Sequence, residues 1–192
     1  MPGQINQEVI LKAMAGDTEA FRVVVETYQG FAFSVSFRLL GDEDDAEDIV
    51  QEAFVRLWKN MHRYRPDIKL TTWLYRITVN LCLDFLKSSR GKQKRNQVDV
   101  TRGYRVADPS SPDGEYDRRE LMSIIQEAAS GLAPMQRAVF MLRDVEALPV
   151  EEVCSVLSLS PGTVKSNLYH ARLKMSEKLK KYYQTTDNPL SL

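Results

Sequence analysis

From Lys165 to Arg172, side chains that donate hydrogen bonds recur at helical spacing: Lys165, Ser166, Asn167, Tyr169, His170 and Arg172. They sit within LSLSPGTVKSNLYHARLKM, residues 157–175. At about 100° per residue, Val164, Leu168, Ala171, Met175 and Leu179 share one face of a helix. The donors fall on the rest of its surface. Such a face suits nucleic acid, where base edges take side-chain donors and phosphates take cations. Enzymatic spacings are missing. His62 and His170 are the only histidines, and neither has a Glu-x-x-His or cysteine partner. Gly-x-x-x-x-Gly-Lys and Gly-x-Ser-x-Gly do not occur. The acidic run DEDDAED at 42–48 lacks calcium-loop spacing. No catalytic residue, metal ligand or cofactor is expected.

The donor face needs elements to carry it. Ser160 fits a helix N-cap, Pro161 the first helical position and Thr163 the first turn. Exposed N–H groups at that helix start also suit a phosphate. Upstream, Pro149 opens a short helix with Glu151 and Glu152 in its first turn and Val150, Val153 and Leu157 on its buried face. About three residues around Leu159 join the two, so the pattern predicts a helix-turn-helix, the unit that lodges a second helix in the DNA major groove. A surface αα-hairpin is the plain alternative. Before it, helices are predicted from Tyr116 to Ser130, stopping at Gly131, and from Pro134 to about Val145.

Residues 91–115 are polar, with glycines and prolines and no apolar period, and are expected to be a flexible linker. Ahead of it the period is again helical. Asp17 fits the cap of a helix bearing Phe21, Val24, Val25 and Tyr28, with Gly30 expected to interrupt it and Gly41 to end the segment that follows. Asp42 caps the next helix, whose stripe is Ala46, Ile49, Val50, Ala53, Leu57, Trp58 and Met61. Carboxylates at a helix start oppose its positive end, which accounts for Asp44 and Asp45. Asp48, Gln51, Glu52 and Phe54, further along, are left without that explanation. RYRPDIK is read as a loop broken by Pro66. A helix from about Thr71 to Arg90 follows, with Leu74, Ile77, Leu81 and Phe85 toward the core. Its Trp73, Tyr75, Arg76, Asn80, Lys87 and Arg90 interleave rings with basic and amide groups, which suits single-stranded nucleic acid. Trp73 fits a core anchor better than a base platform.

Composition sets the frame. With 192 residues, 43 % hydrophobic and 27 % charged, the chain is an ordinary folded protein of one medium domain or two small ones. Formal net charge is zero, so any nucleic-acid surface must come from local patterning, such as the basic runs KSSRGKQKR at 87–95 and ARLKMSEKLKK at 171–181. Solvated helix faces would explain either run taken alone. No apolar run approaches the roughly 18 residues of a membrane span, and the N-terminus has no signal-peptide pattern. Cys82 and Cys154 read as buried thiols rather than a disulfide or metal pair. A cytoplasmic location without membrane insertion is expected.

Three blocks in this order resemble a known family. DDAEDIVQEAFVRLWKN, then TTWLYRITVNLCLDFLK, then, beyond the linker, LPVEEVCSVLSLSPGTVKSNLYHARLKM are similar to bacterial sigma factors of the extracytoplasmic-function group, within the sigma-70 family. The resemblance implies an all-α protein of two small helical domains joined by a flexible linker: 1–90 for polymerase binding and the −10 element, 91–115 as linker, and 116–192 with the helix-turn-helix for the −35 element. It implies core RNA polymerase as partner through the β′ clamp and β flap, and promoter DNA both duplex and melted. Asp48, Gln51, Glu52 and Phe54 map to the clamp contact. Tyr64, Lys69, Thr72, Trp73, Arg76, Asn80, Lys87 and Arg90 map to the −10 strand. Ser160, Thr163, Lys165, Ser166, Asn167, Tyr169, His170 and Arg172 map to the −35 duplex. An anti-sigma factor is a further partner the resemblance implies. Asn167 and His170 stand where the family often carries arginines, which bears on the −35 sequence preferred. Two other readings follow from the residues. A stand-alone helix-turn-helix regulator would bind specific duplex without polymerase, and an adaptor bridging proteins would bind none.

Overall fold

The computed structural model describes residues 5–88 and 113–185. Among them the chain is helical, without a strand. It divides into two compact units, the main division falling between Phe85 and Leu86.

The first unit holds α1 (Gln7–Met14), α2 (Thr18–Leu40), α3 (Glu43–Asn60), a 3-10 turn (Met61–Arg63) and α4 (Leu70–Lys87). Side-chain caps start the first three. Asn6 accepts from the Glu8 N–H, Asp17 from those of Glu19 and Ala20, and Asp42 from that of Asp45. The short α1 has no counterpart in the sequence reading. Gly41 ends α2 at φ 76°, a left-handed conformation that costs glycine nothing, and its N–H bonds the Phe37 carbonyl. Gly30 does not interrupt α2, as its type predicts. The helix runs through it because Val24, Tyr28, Ala32, Val35 and Leu39 form one buried stripe across the site. Packing of that stripe outweighs the ~1 kcal/mol that glycine costs in a helix.

Ala46, Ile49, Ala53 and Leu57 line the buried face of α3, which packs on α2. Phe21 closes the seam, with ring centroids 4.7 Å from Trp58 and 6.5 Å from Phe54. In α4 the buried residues are Leu70, Leu74, Tyr75, Thr78, Val79, Leu81, Cys82, Leu83 and Leu86. Ile77 and Phe85, expected on the core side, are only half-buried.

The second unit holds α5 (Asp113–Ser130), α6 (Pro134–Phe140) continued by a π turn (Met141–Val145), α7 (Val150–Leu157) and α8 (Pro161–Thr185). α8 packs chiefly on α6 and also meets α5. Ala129, Ala138, Val139, Leu142, Val153, Val156, Val164 and Ala171 are fully enclosed. The predicted Pro134–Val145 helix thus has the right extent but changes hydrogen-bond register in its last turn. Cys82 is buried and Cys154 half-buried, and neither is in a disulfide. No described helix is long and apolar enough to cross a membrane.

Candidate nucleic-acid interface

The helix-turn-helix forms as its sequence predicts, and the turn shows how. The Leu159 N–H bonds the Cys154 carbonyl while Ser158 sits at φ 54°. That is a Schellman ending with serine where glycine is usual. Ser160 then starts α8. Its Oγ accepts from the Thr163 N–H at 3.2 Å and lies 2.8 Å from Thr163 Oγ1. Val164, Leu168, Ala171 and Met175 are buried, so the orientation of α8 is set by its apolar stripe.

The remaining surface carries Lys165, Ser166, Tyr169, His170 and Arg172, all exposed. Tyr169 is 66 % exposed, and its ring meets His170 edge-on at 5.4 Å. Asn167 behaves differently from its sequence expectation as a free donor. It is half-buried, and its Nδ2 donates to the Thr163 carbonyl at 2.9 Å, leaving the Oδ1 acceptor for a partner. Arg172 is also engaged. Its Nε donates to Asp144 Oδ2 at 2.8 Å and its Nη2 to Oδ1 at 2.6 Å. These bonds and the carboxylate charge raise the guanidinium pKa. No sequence signal pointed to Asp144, 28 positions away.

In the first unit the structure sorts the four α3 candidates. Asp48, Gln51 and Glu52 lie exposed on one stripe, together with Val55, 44 % exposed. Phe54 departs from them. It is 7 % exposed and packs against Phe21, about a third of a turn around the helix from that stripe. Its side chain supports the α2–α3 seam rather than facing a partner. The period alone places it beside Val50 on the edge of the buried face; the overlooked member of the exposed stripe is Val55. Glu52 Oε1 accepts from Arg56 Nε at 2.8 Å.

The loop and α4 bring Tyr64, Lys69, Thr72 and Trp73 to the start of that helix. Tyr64 and Trp73 stack, with centroids 5.7 Å apart and planes at 19°. Trp73 is half-buried, neither a deep anchor nor a ring with both faces open. The Tyr64 hydroxyl donates to the Ile68 carbonyl at 2.7 Å, closing the loop on itself. Burial raises its pKa. Lys69, Asn80 and Lys87 are exposed, and Thr72 and Arg76 half-buried. Arg90 and linker positions 91–112 lie outside the described residues.

Two helical units, one bearing a helix-turn-helix with a donor-rich second helix, define a DNA-binding protein. Comparison with known families narrows the class. Sigma-70 region 2 matches residues 24–92 and Sigma-70, region 4, matches residues 122–175. The extracytoplasmic-function sigma factor SigW of Bacillus subtilis is 30 % identical over 177 residues, covering 89 % of this chain and 95 % of that protein. The extracytoplasmic-function sigma-E factor of Escherichia coli K12 is 28 % identical over 186 residues, covering 93 % and 97 %. Among solved structures, CnrH in complex with the cytosolic domain of CnrY has a TM-score of 0.60 at 25 % identity, covering 90 % of this chain and 96 % of that one. The sigma factor RpoE of Bartonella quintana, solved with the anti-sigma factor NepR, shares the fold with a TM-score of 0.59 at 21 % identity, covering 83 % and 96 %. The chain belongs to the extracytoplasmic-function group of sigma-70 family RNA polymerase sigma factors. It therefore acts with core RNA polymerase in recognising promoter DNA and initiating transcription, in a family of non-enzymatic initiation factors. The stand-alone regulator reading is not favoured by these relationships.

Proposed function

We propose that the two units divide promoter recognition between them. The domain at 1–90 docks on the β′ clamp of core polymerase through the exposed α3 stripe, Asp48, Gln51 and Glu52. Tyr64, Lys69, Thr72, Trp73, Arg76, Asn80, Lys87 and Arg90 hold the melted −10 strand. Extruding a base from the duplex costs a few kcal/mol, and a loop already closed by the Tyr64 hydroxyl offsets part of that by being ordered beforehand. The domain at 116–192 reads the −35 duplex with α8 and meets the β flap through its earlier helices, and the linker expected at 91–115, of which Asp113 onward already belongs to α5, leads toward the active centre. Ser160 and Thr163 order the helix start for a phosphate. Lys165, Ser166, Tyr169 and His170 face the groove, with Asn167 offering an acceptor and Arg172 a phosphate contact.

One observation carries this reading: α8 buries Val164, Leu168, Ala171 and Met175 of its apolar stripe, with Leu179 half-buried, while Lys165, Ser166, Tyr169, His170 and Arg172 stay exposed on the other side. The protein works in the cytoplasm, has no catalytic activity of its own, and is held inactive by an anti-sigma factor. RpoE of Bartonella quintana is seen in such a complex, with NepR, and CnrH is seen with the cytosolic domain of CnrY. Run-off transcription with core polymerase on genomic fragments tests the proposal. Specific transcripts that appear only when the protein is added support it. Specific duplex binding by the free chain with no polymerase-dependent transcript would refute it.

A further inference from the structure

Arg172, on the α8 face, has a fixed orientation. Two parallel bonds to the Asp144 carboxylate hold its guanidinium, and Asp144 comes from a different element. That element is the π turn ending α6, a local widening often found at functional positions. It is tied in place. The Glu146 N–H bonds the Met141 carbonyl, and the Arg143 guanidinium bonds the Leu148 carbonyl. Nearby, Lys174 Nζ donates to Gln136 Oε1 at 3.4 Å, a second link from α8 to α6.

Stability is a poor reason for this pair, because exposed ion pairs contribute little to folding. Affinity for DNA is at first sight a worse one, since a carboxylate beside a phosphate backbone repels it. Orientation reconciles the two. A free arginine must lose rotamer freedom to meet a phosphate, whereas one already held by a carboxylate has lost it beforehand. The carboxylate occupies Nε and one N–H of Nη2. Both N–H groups of Nη1 and the second of Nη2 remain for another acceptor.

We infer that Asp144 is a positioning residue for promoter binding, fixing the Arg172 guanidinium so that its remaining N–H groups meet a backbone phosphate of the −35 duplex. The inference rests on the reading of α8 as the −35 helix. The two effects of Asp144 have opposite signs, which makes the test sharp. Full-length protein assembled with core polymerase is titrated with promoter DNA at two salt concentrations, as wild type, Asp144→Ala, Asp144→Asn, Arg172→Ala, Lys165→Ala and Asp144→Ala/Arg172→Ala. Asp144→Ala is expected to weaken binding about threefold to tenfold although it removes a negative charge, the loss of one oriented phosphate contact. Asp144→Asn, which keeps the shape and one acceptor, falls between. Arg172→Ala lowers the salt slope by about one, and the double variant binds no more weakly than Arg172→Ala. Thermal unfolding of each variant accompanies the titrations.

Stronger or unchanged binding by Asp144→Ala overturns the inference, as does a loss that multiplies in the double variant or follows a fall in Tm. If Arg172→Ala weakens binding and Asp144→Ala does not, only this inference fails. If neither Arg172→Ala nor Lys165→Ala changes promoter binding, the assignment of α8 fails and takes the inference with it.

Discussion

Replacing Glu52 with lysine separates a polymerase contact from a structural one, because the structure limits what the residue does for the fold. Glu52 is on the exposed side of α3, with 48 % of its side chain accessible, and its neighbour in the salt bridge, Arg56, is at 49 %. An i,i+4 pair of that kind contributes about 0.3–0.5 kcal/mol, and reversing its sign to Lys–Arg adds a like-charge penalty of similar size. The expected loss of stability is therefore below about 1 kcal/mol. Truncating one member of a buried charge pair at an interface costs about 2–5 kcal/mol. Half-exposure puts Glu52 at the low end, near 2 kcal/mol, or about a 30-fold loss of affinity for core polymerase. A titration of labelled protein with core polymerase reads the affinity, and far-ultraviolet circular dichroism with a melting curve reads the fold. Glu52→Lys should leave helicity unchanged and Tm within a few degrees while weakening core binding. Unchanged core affinity would remove this stripe from the clamp contact. A collapse of Tm would show that the exposed-surface bookkeeping for Glu52 is wrong.

Asn80→Ala, at an exposed position of α4, should reduce open-complex formation more than closed-complex binding, as permanganate reactivity of the melted strand will report; equal loss at both stages contradicts a role in holding that strand. Gly30→Ala should stabilise the first unit by up to about 1 kcal/mol, because a Cβ there meets no atom within 4 Å and the site is mid-helix. Denaturant unfolding checks it, and a lower midpoint would mean that the glycine is needed for close packing. Ser158→Gly should raise stability by about 0.5–1 kcal/mol through relief of the left-handed serine, with −35 binding retained; a fall in stability would contradict the Schellman account of the turn.

The candidate sites were legible to different depths. The helix-turn-helix was legible almost completely, since Ser160, Pro161 and the Val164–Met175 stripe encode cap, first turn and buried face within one short segment. The α3 stripe was legible in part. Acidic and amide residues off the apolar face marked Asp48, Gln51 and Glu52. Phe54 stood with them as a residue the helix-start account left over, yet it lies at an angle where the aromatic seam with Phe21 claims it. The loop from Tyr64 to Lys69 was visible through Pro66, but not its closure by the Tyr64 hydroxyl on the Ile68 carbonyl. That bond depends on how the loop curls, which no periodicity records.

What the sequence by itself determined is what lies within a few residues of its cause. Caps at Asp17, Asp42 and Ser160, the break at Pro66, the stop at Gly41 and the apolar stripes all follow from local sterics, local hydrogen bonds and the 3.6-residue period. The tertiary structure decided whatever requires distant residues to meet. It carried α2 through Gly30, because the buried stripe on both sides supplies more than the glycine withholds. Asp45 is buried at 2 % exposure, where the sequence reading gave it only a place in an acidic first turn. Arg172 received a fixed orientation from a carboxylate in a π turn on another helix. A guanidinium's chemistry is written in its own residue type, but which acceptor orients it depends on the path of the whole chain.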